Sequence, residues 1–341
     1  MNKIVKDIKE TIGEKFFTDE DDETRGIPKL AQNNGRRVVI GIVRETVGPF
    51  INRSSYPDET IGFKIMDEEE REVVEVPARK FKSKEKLLAL RYCKLYNTDD
   101  LNIVDPNYRY NSLDNIEYLS NPVSVIFGDT VVKGGSENEG KGMLPSRILY
   151  SSSYSIRDRS DITRRLTHNA LSENGTMWDE KEGKNRTSLF ETEYVIPGVY
   201  FPSFLTLIDP TPESLFLVLK SLKQNSYGAS TAVTGSNIRN NIVFIAGCTN
   251  EPPLSSYLIS RDWFKEDNPL KVSKESITDV MIERENDLLA QNERLVSGKG
   301  LIDFINRMDK ADQYEVMEVM RTLKKDSEKL LTYSKIINPK R

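Results

Sequence analysis

Apolar and polar residues alternate with strand and helix periods most cleanly between Tyr194 and Gly247. Aromatic and β-branched residues crowd from Val199 to Ile208, which predicts a strand, and Asp209-Pro210 breaks it. A helix is predicted at once. Thr211 stands where an N-cap belongs and Pro212 at the first helical position, where its missing N–H costs nothing. Leu215, Val218, Leu219 and Leu222 then repeat on one helical face, Asn225 to Gly228 stops the helix, and Asn241 to Gly247 predicts a short buried strand.

The rest of the chain builds on this unit. Ile4, Ile8 and Ile12 predict a short amphipathic helix, followed by a solvated acidic run from Thr18 to Glu23. Residues 36–47 predict a strand that Gly48-Pro49 ends, 83–96 a helix, and 123–132 and 143–157 two further strands. In the last of these, Tyr150, Ser152 and Tyr154 share one face and Leu149, Ser151, Ser153 and Ser155 the other, so only one of these faces is core. Residues 274–296, 301–308 and 313–331 predict helices. With a helix at 212–225, a strand at 239–247 and 194–208 as an additional strand, the order is βαββαβ. The expected class is α+β: a ferredoxin-like antiparallel sheet of the RNA-recognition-motif kind, with helices on one face and the other face uncovered for single-stranded RNA. That core is expected over 36–260 with a finger insertion at about 160–193, after an N-terminal extension over 1–35 and before a helical extension over 261–341 that packs on the core. The aromatic consensus of a stand-alone RNA-recognition motif is missing.

Charge narrows the function. The 341 residues include 49 basic and 53 acidic ones, a net charge of −4, so a polyanion would have to be held by a local patch. Ser214 to Asn250 contains Lys220, Lys223 and Arg239 and no acid; Lys141 to Arg157 contains Arg147 and also no acid. Arg157, Arg159, Arg164 and Arg165 crowd together just beyond, next to hydroxyl-bearing residues suited to phosphate. The expected nucleic-acid contacts are therefore Arg53, Ser54, Arg147, Ser152, Tyr154, Arg157, Arg159, Arg164, Arg165, Lys220, Tyr227 and Arg239. Residues 168–189 read as a hairpin or finger between two turn signals, with His168, Asn169, Met177, Trp178, Lys184 and Arg186 as its expected contacts.

Other chemistries find little support. Gly135-x-x-x-x-Gly140-Lys141 lacks the hydroxyl of a P-loop at Gly142 and carries Glu137 and Glu139 where phosphate would lie. Two distant cysteines and a single histidine leave no clustered zinc ligands, and neither metal nor cofactor is expected. The N-terminus resembles no signal peptide and no apolar run approaches the ~20 residues of a membrane span, so a cytoplasmic protein without a membrane partner is expected. Asp58 and Asp158 are the candidates for a nuclease that cuts a held strand through a loop aspartate, although neither has a partner at metal-ligand spacing. An assembly-only subunit is the third reading.

Arg165-Leu-Thr-His-Asn-Ala-Leu171, Gly175-Thr-Met177, Gly183-Lys184, Ser188-Leu-Phe190, Tyr194-x-x-Pro-Gly198, the Leu207 to Leu222 strand and helix, and Tyr227-Gly-Ala229 through Asn241-Ile242 resemble the type I-D CRISPR backbone subunits of the Cas-seven family. The resemblance is dense from about Arg164 to Ile245 and thin at both ends. It implies a modified RNA-recognition fold and copies aligned head to tail along a guide crRNA in a Cascade complex, beside other type I-D subunits. It also implies a thumb-like hairpin at 168–189 that wedges between guide and single-stranded target DNA in the R-loop. Some relatives carry a metal-binding insertion, from which this chain departs in having too few Cys and His residues.

Overall fold

Nine of the ten residues of the Arg37–Thr46 strand are buried, so this strand has no solvent face and must lie between two layers. The computed structural model describes residues 1–18, 35–53, 60–65, 71–109, 116–131, 142–168, 178–179, 181, 183–185, 190–249, 253–264, 272–290 and 293–337. In chain order the elements begin with α1 (Lys3–Ile12), β1 (Arg37–Thr46), β2 (Gly62–Ile65), β3 (Arg71–Val76), α2 (Ala78–Leu95), α3 (Pro122–Phe127) and β4 (Asp129–Val131). β5 (Gly142–Leu144), β6 (Ile148–Tyr150), β7 (Ser153–Asp158), α4 (Arg159–Ile162), β8 (Thr163–His168), β9 (Trp178–Asp179), β10 (Lys184–Asn185) and β11 (Phe190–Val195) follow. The chain continues with β12 (Tyr200–Ile208), α5 (Pro212–Ser221), α6 (Thr231–Thr234), β13 (Ile238–Cys248), α7 (Ser256–Phe264), α8 (Lys274–Leu288), β14 (Arg294–Ser297), α9 (Gly298–Asp309) and α10 (Gln313–Ile337).

The class is α+β with antiparallel sheets. The central sheet runs β14-β13-β1-β12-β6, and each neighbouring pair in it is antiparallel. On one face Val38, Ile40 and Ile42 of β1, with Leu205 and Leu207 of β12, pack against α1, α2, α3, α5, α9 and α10. On the other, Val39, Val43, Phe204 and Phe244 meet Ile259 and Trp263 of α7 and Ile277 and Met281 of α8. The expectation of an uncovered sheet face for RNA is thereby corrected: α7 and α8 occupy it. The β1–β13 register shifts between Gly41 and Ile42, and the Phe244 ring packs so close to the Gly41 backbone that a Cβ there would lie 2.3 Å from it.

Several elements differ from the sequence expectation for physical reasons. The β-branched run after Asn121 is helical: the Asn121 side chain accepts from the Ser124 N–H, Pro122 starts the helix and Gly128 ends it, overriding strand propensity. Residues 143–157 are β5, β6 and β7, which belong to three different sheets. The serine face of β7 is the buried one, with Ser153 Oγ 3.0 Å from Ser203 Oγ and Ser155 Oγ accepting from the Val74 N–H at 3.0 Å. β12, expected as an addition, pairs with β1 at the centre of the sheet. The helix predicted over 274–296 stops at Leu288, and β14 takes its last part to the sheet edge.

Candidate nucleic-acid interface

With both sheet faces covered, the best surface for a polyanion is the outward side of α2. Residues 79–86 read Arg-Lys-Phe-Lys-Ser-Lys-Glu-Lys, five cations and one acid. Helical spacing sends Phe81, Glu85 and Ala89 inward, and all three are fully buried. The one acid is therefore removed from the surface of the run. Glu85 Oε1 lies 2.5 Å from Arg44 Nη1 of β1, and the Tyr227 and Tyr150 hydroxyls donate to the same carboxylate at 2.7 and 2.6 Å. Arg44 also donates to Ser203 Oγ at 3.1 Å and to Asn240 Oδ1 at 2.9 Å, and its guanidinium stacks 4.0 Å from the Phe81 ring centre. This buried network fixes the rotation of α2, which leaves Arg79 exposed and Lys80, Lys82 and Lys84 half-buried, while Lys86 is buried.

Arg79, Lys80, Lys82, Ser83 and Lys86 line one wall of an open groove, facing Phe127 to Thr130 and Leu144 to Ser146. Its one lining carboxylate, Asp129, is buried and engaged: the Tyr108 hydroxyl donates to Oδ2 at 2.6 Å, Ser124 Oγ at 2.9 Å, and Lys86 Nζ lies 3.0 Å away. Lys86 also donates to the Gly128 carbonyl at 2.8 Å, and Lys80 donates to Asn52 Oδ1 and the Arg53 carbonyl. Among the described residues Arg79 and Lys82 have no hydrogen-bond or ion-pair partner. Burial, with Arg79 beside it, lowers Lys80 to about 8; burial, with Lys86 beside it, lowers Lys82 to about 8. Crowded, underhydrated cations without a counter-charge are a phosphate-binding arrangement.

The residues expected from sequence are scattered. Arg147 is interior: it donates to the carbonyls of Ile208 and Asp209 at the end of β12, so its guanidinium anchors backbone. Tyr227 is buried on Glu85, and Lys220 is spent on the Met308 carbonyl and Asp309. Arg159 bridges Glu72 and Glu193 at 2.7 and 3.0 Å, while Asp158 accepts from Arg71 at 3.0 Å. Ser152 Oγ accepts from the Ala78 N–H at the start of α2, and the Tyr154 ring packs on Phe63 and Tyr257. Arg157 is half-buried; Arg164 and Arg165 are exposed on β8, the former on backbone carbonyls and the latter 3.1 Å from Glu191. Arg239 is exposed and 3.5 Å from Glu45, and Arg53 forms an isolated bridge with Thr60.

His168 ends β8 opposite Phe190, and β9 and β10 form a minimal hairpin in which Trp178 is 45% exposed and Lys184 is exposed. Ser54, Asp58, Asn169, Met177 and Arg186 lie outside the described residues. Among the described residues no group of three or more His, Cys, Asp and Glu side chains is arranged to hold a metal ion, and no helix is long and apolar enough to cross a membrane. Sequence reasoning missed Arg79, Lys80, Lys82 and Lys86, although five cations in eight residues were visible in it.

A family model described as Csc2 Crispr matches residues 65–330. No curated protein matches the chain. Among solved structures, the crystal structure of Thermofilum pendens Csc2 is similar with a TM-score of 0.62 at 13% identity, over 97% of this chain and 98% of that one. A chain of a CRISPR RNA-guided surveillance complex gives 0.45 at 7% identity over 84% and 98%, and one of a pre-nicking surveillance complex 0.46 at 8% over 85% and 99%. The first of these likenesses shows a shared fold.

Proposed function

Because the chain belongs to the Csc2 CRISPR family, we propose that it is a crRNA-binding backbone subunit of a type I-D Cascade complex. In this reading copies align head to tail along the guide beside other subunits, and the exposed Trp178 hairpin is the thumb that meets the single-stranded DNA target. The core reads as ferredoxin-like: β1, α2, β6, β12, α5 and β13 form a βαββαβ series whose strands lie in the order β13-β1-β12-β6.

One observation carries the RNA assignment: α2 turns its only early acid onto Arg44 and presents Arg79 and Lys82 to a groove whose own carboxylate is already paired. Cations of this kind hold phosphates without reading bases, which leaves a guide free to pair. The test is binding of single-stranded RNAs of unrelated sequence, with light scattering over increasing RNA length. Salt-sensitive binding with little sequence preference, and mass rising in steps of one subunit, are expected. Failure to bind RNA at low salt, or a fixed dimer at every RNA length, refutes the reading.

A further inference from the structure

We propose that Lys82 is an acylation site for small acyl phosphates, whose phosphate docks on the cations of the α2 groove while the Lys82 amine takes the acyl group. This goes beyond RNA binding and does not rest on it. Three observations converge. The groove is a cation-lined recess whose one carboxylate among the described lining residues, Asp129, is already held by Tyr108, Ser124 and Lys86, so none of those residues offers an incoming phosphate a free acid. Arg79 is exposed at the same wall, one helical turn from Lys82, and has no partner among the described residues. Lys82 is half-buried and likewise without a partner there, whereas Lys80 is held by two oxygen acceptors and Lys86 by Asp129 and the Gly128 carbonyl.

The chemistry needs a neutral amine. With Lys82 lowered to about 8 by burial and Lys86, about one amine in ten is neutral at pH 7, against roughly one in 2,500 for an ordinary lysine. A less basic amine is a weaker nucleophile by about tenfold over the same interval if it follows the Brønsted slope of thiols, which leaves a gain of roughly twentyfold before docking. The Lys82 nitrogen attacks the acyl carbon, an N–C bond forms, the C–O bond to phosphorus breaks and inorganic phosphate leaves on the Arg79 guanidinium. The proton that the nitrogen loses ends on the leaving phosphate, which departs as hydrogen phosphate. The product is a neutral amide, and the groove has lost one cation.

Lys80 supplies an internal control, because it is lowered to the same value while its amine is tied to Asn52 and Arg53. The experiment exposes the full-length protein, free of RNA, to acetyl phosphate at pH 7.5 and follows acetylation of each lysine by peptide mass spectrometry. Lys82 is expected to react at least tenfold faster than the exposed Lys299 and Lys310 and faster than Lys80. Inorganic phosphate and Arg79→Gln should each slow Lys82 several-fold and leave Lys299 unchanged. A phosphate-free acetylating ester should reduce the advantage of Lys82 to that of its lowered basicity. A Lys82 rate within about twofold of Lys299, or equal rates at Lys80 and Lys82, overturns the site. An advantage undiminished with the phosphate-free ester, or by Arg79→Gln, overturns the docking. RNA binding measured on the same preparation separates these outcomes from failure of the guide-binding reading.

Discussion

Replacing Arg79 and Lys82 together by Gln removes two groove cations that have no partner among the described residues and leaves the packed interior untouched. Each phosphate neutralised on a single strand contributes about 0.7 to the slope of log affinity against log salt, so the double variant should lose about 1.4. Extrapolated from 1 M salt, that slope corresponds to roughly tenfold weaker binding near 0.15 M. Fluorescence anisotropy of a short labelled RNA holding one copy, from low to high salt, reads slope and affinity together. The loss should be the same for uridine-rich, adenosine-rich and mixed sequences, with the melting temperature little changed. Lys220→Gln and Arg147→Gln are the contrasting variants. Their cations are engaged by Met308, Asp309 and the end of β12, so they should lower the melting temperature and keep the slope. An unchanged slope in the Arg79/Lys82 variant, with melting also unchanged, would refute the groove assignment.

Lys80 and Lys82 make RNA binding depend on pH: phosphate raises their proton affinity from about 8, so affinity is full below pH 8 and falls as pH rises beyond it, which titration from pH 6.5 to 9.5 at constant ionic strength measures. Glu285 on α8 is fully buried, has an oxygen without a hydrogen bond, and is pushed up to about 7 by burial. Its stability contribution is complete below the unfolded carboxylate value and is lost as pH rises through about 7, so Glu285→Gln should stabilise the protein above pH 7 by on the order of 3 kcal/mol and change little at pH 4, as denaturant melts at the two pH values will show. Trp178→Ala removes a ring that is 45% exposed; it should leave the melting temperature nearly unchanged and weaken target-strand engagement by about tenfold, and a large loss of stability would exclude a contact role.

Much of the framework was legible because its signals are local. The Thr211-Pro212 start of α5, the Gly48-Pro49 stop of β1 and the isoleucine spacing of α1 each specify backbone conformation within a few residues, and each element forms where expected. What failed depends on tertiary competition. The Val123 to Phe127 run has strand propensity, yet Asn121 and Pro122 cap it as a helix beside α2 and α10, where its side chains are buried. The second sheet face was expected open because the helical extension over 261–341 was expected to pack on the core with no face assigned to it; side chains of α7 and α8 fill that face.

Charge shows the same limitation in both directions. Ser214 to Asn250 contains no acid, but Asp309 comes from the end of α9 to lie 3.3 Å from Lys220 and 2.8 Å from Lys223, so a stretch cationic in sequence is balanced in space. Residues 79–86 include an acid, and in the folded protein that acid faces Arg44 beneath the helix, so a stretch mixed in sequence is cationic outside. A carboxylate neutralises only the cations it can approach, within a few ångströms when solvent screens the rest. Helical phase therefore decides the field that a ligand meets more than composition does. With Phe81 and Glu85 inward, positions 79, 82 and 86 turn toward the groove, and Lys86 is already committed to Asp129. Arg79 and Lys82 are left to act on whatever anion enters.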